Sequence, residues 1–476
     1  RGVGTMTKIA IVGAGGYVFP LRLIGDLLSF PELRDVELSL MDVAPDRLER
    51  TAGAARALVA HHRFPTRIET TTDRRRALAG ARYVIVTFQV GGLDAYRLDV
   101  EIPRRYGIDQ TVGDTLGPGG VFRFLRSAPV FREIAADIAE LCPDALLINY
   151  ANPMAMSCWL LDRLGVRVVG LCHSVQGTSR MLARQIDVPY EEVRFLAAGI
   201  NHQAWFLEFR RDGEDLYPRL REVMVRRHLR RANGANGLVA DRGEHSGAER
   251  PDTDYEGGQE RVRTELMRTF GYFHTESSHH ASEYVPYFRK TPALASEFIR
   301  NRWDYYEICA AHDEGGQTER LLNQLKTELK PSVEYGALIV DSMESGQPRV
   351  VYGNVGNHGL IDNLPSGCCV ELACLVDRNG IQPTAVGPLP PQCAAVNRTN
   401  VNVQELAVEA ILTENRDRIY QAVALDPLTG AVLALDQIHA MVDELLTAEA
   451  PWLPAFASPT ATPSSPGASP TPAGRA

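Results

Sequence analysis

Cysteines, long apolar runs and excess positive charge are all scarce in this sequence, and each shortage excludes a class of protein. The eight cysteines among 476 residues are irregularly spaced, which argues against a disulfide framework and predicts reduced thiols. No apolar run reaches the roughly 18 residues that a membrane-spanning helix needs. The formal net charge of −9 provides no basic surface for nucleic acid. We therefore expect neither a membrane nor a nucleic acid as partner.

The first residues also lack the apolar core of a secretory signal. They run directly into an apolar segment at Ile9, so we expect a cytoplasmic location. The chain is 45% hydrophobic and 23% charged, which is typical of globular proteins. Its length predicts two or three domains.

Short apolar runs alternate with helical patterns over the first 200 residues. The predicted strands cover 8–13, 36–42, 82–88 and 145–149, and the predicted helices cover 20–30, 46–61 and 121–141. A further apolar run covers 166–172 and ends at a polar cluster. This alternation is typical of a doubly wound parallel sheet with helices on both faces.

The second half of the chain has a looser, mixed pattern. We predict a Rossmann domain over residues 6–200 and an α+β domain over residues 201–455. Residues 230–260 are rich in Gly, Asp, Arg and Glu, and we expect a mobile excursion there. Residues 457–476 are almost wholly Ser, Pro, Ala, Thr and Gly, a composition that predicts a disordered tail.

A glycine-rich turn follows the first predicted strand and opens the first helix. Gly13, Gly15 and Gly16 allow a tight turn and let the backbone approach a pyrophosphate. Asp42 ends the second strand, where a carboxylate accepts ribose hydroxyls and repels a 2′-phosphate, which favours NAD over NADP. The third glycine of the fingerprint is replaced by Val18. The alternative is a turn with no ligand.

Three polar clusters stand where parallel strands are expected to end, the usual place for chemistry in this architecture. The clusters are Asn149-Tyr-Ala-Asn152-Pro, Cys172-His173-Ser-Val and Gly199-Ile-Asn201-His202. Each has a structural alternative, as a turn former, a small core residue or a core histidine. Together Cys172 and His202 offer one thiolate and one imidazole, which begin a divalent-metal site without completing it.

The order of these motifs resembles glycoside hydrolase family 4 from Lys8 to about Pro454, and within it the α-galactosidases of bacterial melibiase type. Further matching segments are Phe88-Gln-Val-Gly-Gly, Asp114-Thr-Leu-Gly-Pro-Gly-Gly, Gly271-Tyr-Phe-His-Thr-Glu-Ser-Ser and Gly359-Leu-Ile-Asp-Asn-Leu-Pro. The resemblance implies a lactate/malate dehydrogenase-like fold, dependence on NAD and a divalent metal such as Mn²⁺, and a homodimer or homotetramer. The family is an exception to hydrolysis by two carboxylates.

The resemblance also assigns roles to residues. Cys172 and His202 fall on the metal-ligand positions, and Asn152 falls where the family contacts the sugar. Asn201 is a further predicted substrate-binding residue. The Cys172-His173-Ser-Val tetrapeptide is similar to the α-galactosidase version, and Gln89 stands near the position of an arginine in members that act on phosphorylated sugars. A free sugar is therefore expected.

The implied reaction removes a hydride from C3 of the sugar, removes a proton from C2, eliminates the aglycone, adds water to C1 and returns the hydride. Glu276 falls near the family's base and would need a pKa raised by a partly apolar site; the alternative is an ordinary surface or ion-paired Glu. His173 is the preferred acid, with Asp114 as its rival. The alternative is that His173 only binds a sugar hydroxyl. His279 replaces an acidic residue of the melibiase pattern.

Three other functions remain open at this level. The first is a plain NAD-dependent hydroxy-acid dehydrogenase, in which Cys172 and His202 hold no metal. The second is an NAD(H)-sensing protein without turnover. The third is another α-glycosidase or an α-uronidase, in which Arg289 is a candidate cation for the sugar carboxylate.

Overall fold

The computed structural model of the chain describes residues 6–229, 260–300, 302–311 and 316–456. The predicted tail at 457–476 lies outside the described residues, as does the predicted excursion except for its last residue, Glu260. All eight cysteines are free thiols. None of the helices within the described ranges is long and apolar enough to cross a membrane.

A six-stranded parallel sheet forms the first half of the molecule. Its strands are β1 (Thr7–Val12), β2 (Val36–Met41), β3 (Arg67–Thr71), β4 (Tyr83–Val86), β5 (Leu146–Asn149) and β6 (Val168–Gly170). Their spatial order is 3-2-1-4-5-6, and every neighbouring pair is parallel. This is the strand order of a Rossmann fold, so the predicted fold class is confirmed.

Helices cover both faces of this sheet and explain its apolar strands. They are α1 (Phe19–Ser29), α2 (Pro45–His62), α3 (Arg74–Leu78), α4 (Gly92–Arg105), α5 (Gly117–Leu141), α6 (Met154–Arg163) and α7 (Ser174–Gln185). Strands β4 and β5 are buried at every residue, as continuous apolar runs predict. The prediction did not resolve β3, α3, α4, α6 and α7 individually.

The same sheet continues into the second half through antiparallel strands. These are β7 (Val193–Ile200), β8 (Gln203–Arg211), β9 (Glu214–Asp215), β10 (Phe273–His274), β11 (Arg349–Gly356), β12 (Cys369–Asp377) and β13 (Gly380–Pro383). The order runs β10-β8-β7-β12-β11-β6, with β9 on β8 and β13 on β12. One sheet therefore crosses the domain boundary predicted at residue 200, and that boundary stays a prediction.

The helices of the second half are mostly short, apart from one long helix and one at the carboxyl end. They are α8 (Tyr217–Met224), α9 (Arg261–Phe270), α10 (Ser278–Ala281), α11 (Pro292–Phe298), α12 (Tyr305–Ala311), α13 (Gln317–Thr327), α14 (Gly336–Ser345), α15 (Pro391–Thr413), α16 (Asp417–Leu425), α17 (Pro427–Val432) and α18 (Leu435–Ala448). Mixed helices and antiparallel strands match the predicted α+β half.

A buried ion cluster fastens α18 to the Rossmann half. Arg126 of α5 donates to Asp99 of α4 and to Glu449 at the end of α18, with Nη1···O distances of 2.8 Å to each. All three side chains are fully buried. Buried charges persist only when they are paired and hydrogen-bonded, and this cluster links the three helices to one another.

Candidate active site

The glycine-rich turn after β1 lies against the end of β2. A Cβ atom at Gly13, whose φ is +94°, would lie 2.6 Å from the backbone nitrogen of Phe88. A Cβ atom at Gly15 would lie 2.7 Å from the carboxylate of Asp42. Gly15 N donates to Asp42 Oδ2 at 2.8 Å. The structure therefore brings the predicted cofactor residues together, with Gly16 next to the start of α1.

An arginine and a tyrosine that the sequence analysis did not select also border this turn. The Arg50 guanidinium lies 4.1 Å from the ring centroid of Tyr17 and donates to Gly15 O at 3.2 Å. Arg47 lies over the same ring at 5.0 Å. The turn therefore combines close backbone approach with positive charge, which suits a dinucleotide phosphate.

Three ligand-type side chains meet beyond the ends of three strands. Cys172 follows β6, His202 follows β7 and Glu276 follows β10. The distances are 3.2 Å from Cys172 Sγ to His202 Nε2, 3.4 Å from His202 Nε2 to Glu276 Oε2, and 3.9 Å from Cys172 Sγ to Glu276 Oε2. These atoms all lie within 4.8 Å of one another. One sulfur, one nitrogen and one oxygen donor form a set that divalent transition metals accept.

A tyrosine orients His202, and two members of the triad have an unusual backbone conformation. His202 Nδ1 lies 3.0 Å from the Tyr284 hydroxyl, which lies 2.8 Å from His280 Nδ1. That contact leaves Nε2 facing Cys172, the arrangement usual for a metal-binding histidine. Both His202 and Glu276 have positive φ, at 62° and 70°. Such strained positions persist only where the surroundings hold them.

A buried ion pair holds the backbone of Glu276. Arg263 of α9 donates to the carbonyl oxygen of Glu276 and to Thr178 Oγ1 of α7, the latter at 2.9 Å. Glu260 accepts from Nε and Nη2 of Arg263, at 2.6 Å each. Because α7 starts two residues after Cys172, one guanidinium links both sides of the triad.

The charges around Glu276 correct one expectation. Burial alone would raise the pKa of Glu276, but the charges of His202, His280 and His173 outweigh burial and lower it to about 2. The raised pKa expected for a base is therefore wrong, because the site is lined by imidazoles rather than apolar groups. The pKa of the Cys172 thiol is raised to about 12, first by burial and then by Glu276.

Asp114 and Asn152, predicted from separate motifs, are in contact. Asn152 Nδ2 donates to Asp114 Oδ2 at 3.2 Å. Arg123 of α5 lies 4.0 Å from the same oxygen and donates to Asn152 O and to Gln89 Oε1, at 3.2 and 3.1 Å. Burial opposes ionisation of Asp114, yet Arg123 and His280 lower its pKa. These charges favour the ionised state of Asp114, and its role as rival acid stays a prediction.

His173 lies at the edge of the triad with an acidic partner. Its Nδ1 is 3.4 Å from Glu334 Oε1, and its side chain is 66% exposed. The hydrogen bond to Glu334 raises the pKa of His173 to about 10. A protonated imidazole at neutral pH is the state that a proton donor needs. The acid role of His173 stays a prediction.

Asn201 is buried in the turn that carries His202. It is 1% exposed, and neither of its side-chain polar atoms has a hydrogen-bond partner within the residues that the structure describes. A buried amide in this state normally has a partner. The site therefore has an unsatisfied donor and acceptor where the sequence predicts substrate binding.

Arg289, the candidate cation for a uronate, is committed to the fold. It is 3% exposed and donates to Ser282 Oγ, Asp109 O and Thr111 Oγ1 at 2.6, 2.8 and 3.0 Å. His279, the departure from the melibiase pattern, stacks on Trp303 with ring centroids 4.4 Å apart. A role in packing therefore accounts for both residues.

Several site residues were missed because no local motif marks them. Tyr284 and Glu334 reach the site from loops that are far in the chain from the predicted strand ends. Arg123 lies in helix α5 among mostly apolar buried residues, where a single charged residue marks no motif. Glu371 is different: an acid within the apolar run Cys369-Val-Glu-Leu-Ala of β12 is a signal that the sequence does carry.

Two family models match the chain. The model described as family 4 glycosyl hydrolase matches residues 8–188, and the model of the family 4 glycosyl hydrolase C-terminal domain matches residues 197–429. An α-galactosidase from Bacillus subtilis (strain 168) is 39% identical over 457 residues, covering 95% of this chain and 100% of the relative. An α-galactosidase from Rhizobium meliloti (strain 1021) is 38% identical, covering 94% of this chain and 90% of the relative.

Solved structures show the same fold. The lplD protein from Bacillus subtilis, named as a glucosidase, matches with a TM-score of 0.78 and 27% identity, covering 93% of this chain and 100% of that chain. A 6-phospho-α-glucosidase from gut microorganisms, in complex with NAD and Mn²⁺, matches with a TM-score of 0.74 and 21% identity. That match covers 95% of this chain and 100% of that chain.

Proposed function

The chain belongs to family 4 of the glycosyl hydrolases, and from this premise we propose that it is an NAD- and divalent-metal-dependent α-galactosidase acting on melibiose-like sugars. The α-galactosidases from Bacillus subtilis and Rhizobium meliloti, at 39% and 38% identity over most of the chain, support this substrate class. The observation that carries the proposal is the Cys172–His202–Glu276 triad beyond the strand ends of a Rossmann sheet.

The glycine turn fits a dinucleotide. Gly13 and Gly15 leave no room for a Cβ atom, so the backbone itself is available to approach a pyrophosphate. Asp42 lies at the end of β2, where its carboxylate suits ribose hydroxyls. These residues would hold NAD, which the gut-microorganism structure of the same fold contains.

The triad fits a divalent cation. Burial and Glu276 keep the Cys172 thiol protonated in the protein alone, and a cation among the three donors offsets both effects. Cys172 and His202 would be ligands, and Glu276 presents an ionised carboxylate beside them. When bound, NAD⁺ supplies reversible oxidation of the sugar and the metal supplies Lewis-acid stabilisation of negative charge on its oxygens.

The remaining residues have roles that follow from their protonation and position. His173 is protonated and exposed, so it suits proton donation to the leaving oxygen. Asn152 and Asn201 present amides for sugar hydroxyls, and Asp114 orients Asn152. Glu276 is ionised, but a pKa of about 2 makes a carboxylate a weak proton acceptor, so its role as the base stays a prediction. The homodimer or homotetramer implied by the resemblance stays a prediction.

The test is release of p-nitrophenol from its α-galactoside by the purified chain, with NAD⁺, Mn²⁺ and a thiol reductant each omitted in turn. We expect cleavage that requires both cofactors and no accumulation of NADH. Cys172→Ser should abolish cleavage. Cys142→Ser, at a buried free thiol beyond the carboxyl end of α5, should not.

The same assay separates the alternatives. Steady NADH formation with a hydroxy acid, without glycoside cleavage, would establish a dehydrogenase. Binding of NAD without any turnover would establish a sensor. The p-nitrophenyl α-galacturonide serves as a further substrate, and faster cleavage of it than of the galactoside would replace the proposed sugar. The buried and bound Arg289 is evidence against that last result.

A further inference from the structure

The two predicted metal ligands follow strands that are not adjacent in the sheet. Cys172 follows β6 and His202 follows β7, and the sheet places β11 and β12 between these strands. Gly170 of β6 pairs with Asn354 of β11, Asn354 pairs with Glu371 of β12, and Glu371 pairs with Gly199 of β7. These four residues form one row across the sheet. Gly170 lies two residues before Cys172, and Gly199 lies three residues before His202.

Side chains of this row interact along it. Asn354 Nδ2 donates to Gly170 O at 3.2 Å and contacts Glu371 Oε1 at 3.5 Å. Asn354 and Glu371 are both completely buried. A Cβ atom at Gly170 would lie within 3.1 Å of Asn354 Cβ, so the glycine allows the close approach.

Glu371 is electrostatically coupled to the triad. Its Oε2 is buried without a hydrogen-bond partner among the described residues, and the charges of His202 and Glu276 act on its carboxylate. The Glu371 charge also acts on Cys172. A buried acid at this place has a physical cost unless a positive partner offsets it, and a cation in the triad is such a partner.

We propose that Glu371 and Asn354 are positioning residues of the metal centre, which hold the strand ends carrying Cys172 and His202 at the separation that a divalent cation needs. This inference rests on the proposed function, since it requires a metal in the triad. It adds an uncharged amide and a buried carboxylate to the residues that determine metal affinity. Groups that orient metal ligands typically change affinity by about 10–100-fold when replaced.

The test is titration of the metal-free chain with Co²⁺, followed through the absorption of the Cys172 thiolate–cobalt bond. Glu371→Gln preserves shape and an acceptor oxygen but removes the charge. We expect its Kd for Co²⁺ to rise about 10–100-fold, while its Kd for NAD⁺ stays as in the wild type and the thermal midpoint of the metal-free protein does not fall. Asp426→Asn, which removes a buried carboxylate at the start of α17, is the matched control and should bind Co²⁺ as the wild type does.

A second variant tests the row itself. Asn354→Ala leaves Glu371 in place and removes the hydrogen bond from Asn354 Nδ2 to Gly170 O. Co²⁺ binding should therefore weaken and the cobalt absorption should shift, while the affinity for NAD⁺ stays unchanged. A Kd for Co²⁺ within twofold of the wild type in both variants would overturn the inference alone. A parallel loss of NAD⁺ affinity and thermal midpoint would show a purely structural role and also overturn it. A wild-type chain that binds no Co²⁺ would overturn the metal centre proposed above and this inference with it.

Discussion

Asp42 is held on both sides by backbone amides. Gly15 N donates to one carboxylate oxygen at 2.8 Å and Ala44 N donates to the other at 3.0 Å. The Gly15→Ala methyl would meet the carboxylate at 2.7 Å, so either the turn or Asp42 must move. We expect the Kd for NAD⁺ to rise about tenfold or more, equivalent to about 1.4 kcal/mol, measured by calorimetric titration.

Gly53 offers the matched control for that substitution. It lies within α2, and a Cβ atom added there meets no atom within 4 Å. Gly53→Ala should stabilise the fold by about 0.5–1 kcal/mol because alanine loses less backbone entropy in a helix. Equal NAD⁺ affinity in the two variants would show that the Gly15 contact with Asp42 plays no part in binding.

Asp426 links stability to pH. It begins α17, where Oδ2 accepts from Thr429 N and Oγ1 at 2.8 and 2.7 Å. Burial outweighs these bonds and raises its pKa from 3.8 to about 6. The folded state therefore binds this proton more tightly than the unfolded state does. The stability it contributes is fully present below about pH 4 and is lost as the pH rises to about 6.

Asp426→Asn mimics the protonated side chain at every pH. The free energy of unfolding of the variant, minus that of the wild type, should therefore increase by about 3 kcal/mol between pH 4 and pH 7 and then stay constant. Urea denaturation of both proteins across this range measures the difference. A difference that is constant with pH would mean that Asp426 titrates alike in both states.

The sequence predicted the site residues that follow strands and missed those that do not. Cys172 follows the apolar run 166–172, and both Cys172 and His202 fall on the metal-ligand positions of the family that the sequence resembles; the structure brings their donor atoms to 3.2 Å. Tyr284 and Glu334 were not, because their partners lie 82 and 161 positions away in the chain, and only the tertiary fold brings them together. The pKa of Glu276 depends on His202 and His173, which are distant in the chain, as well as on the nearby His280, so its direction was not predictable either.

At the scale of elements, the Arg126 cluster joins α4, α5 and the end of α18. Arg126→Met would leave Asp99 and Glu449 facing each other without a cation, and burial already raises the pKa of both. Removing one partner of a buried ion cluster costs about 3–5 kcal/mol. Urea denaturation should show a loss of that size.

Replacing the whole cluster with apolar residues provides the contrast. The triple variant Asp99→Leu, Arg126→Met, Glu449→Met removes every buried charge, and such replacements are often neutral or stabilising. We expect it to be more stable than Arg126→Met alone. A triple variant less stable than the single one would show that hydrogen bonds of the cluster, rather than charge compensation, decide the packing of α18.

Elements were predictable where the sequence pattern is local. The fully buried β4 and β5 appeared as apolar runs, and α5 appeared as a long helical pattern. The position of β11 and β12 between β6 and β7 was not predictable, because these strands come about 150 residues after β7 in the chain. Local periodicity reveals strands but not their neighbours.

At the scale of the whole molecule, one sheet and one apolar core cross the predicted boundary at residue 200. β7 lies between β12 and β8, both of which follow that boundary. The main core contains residues of β1 and residues of α18 together, such as Ile11 and Val442. A fragment covering 6–200 would expose β7 on both edges and lose the part of this core that runs from Tyr284 to Leu445, so we expect the two halves to unfold together.

Scanning calorimetry with increasing NAD⁺ tests this coupling. A ligand that binds only the folded state stabilises it by about 2.7 kcal/mol at 100 times its Kd. NAD⁺ should therefore raise the midpoint temperature of a single transition that contains the whole unfolding enthalpy. The dinucleotide turn lies in the first half, at Gly13 and Gly15, so a shared transition means that cofactor binding stabilises the antiparallel half and His202 with it. Two transitions, of which NAD⁺ raises the midpoint temperature of only one, would instead show that the two halves unfold independently although they share a sheet.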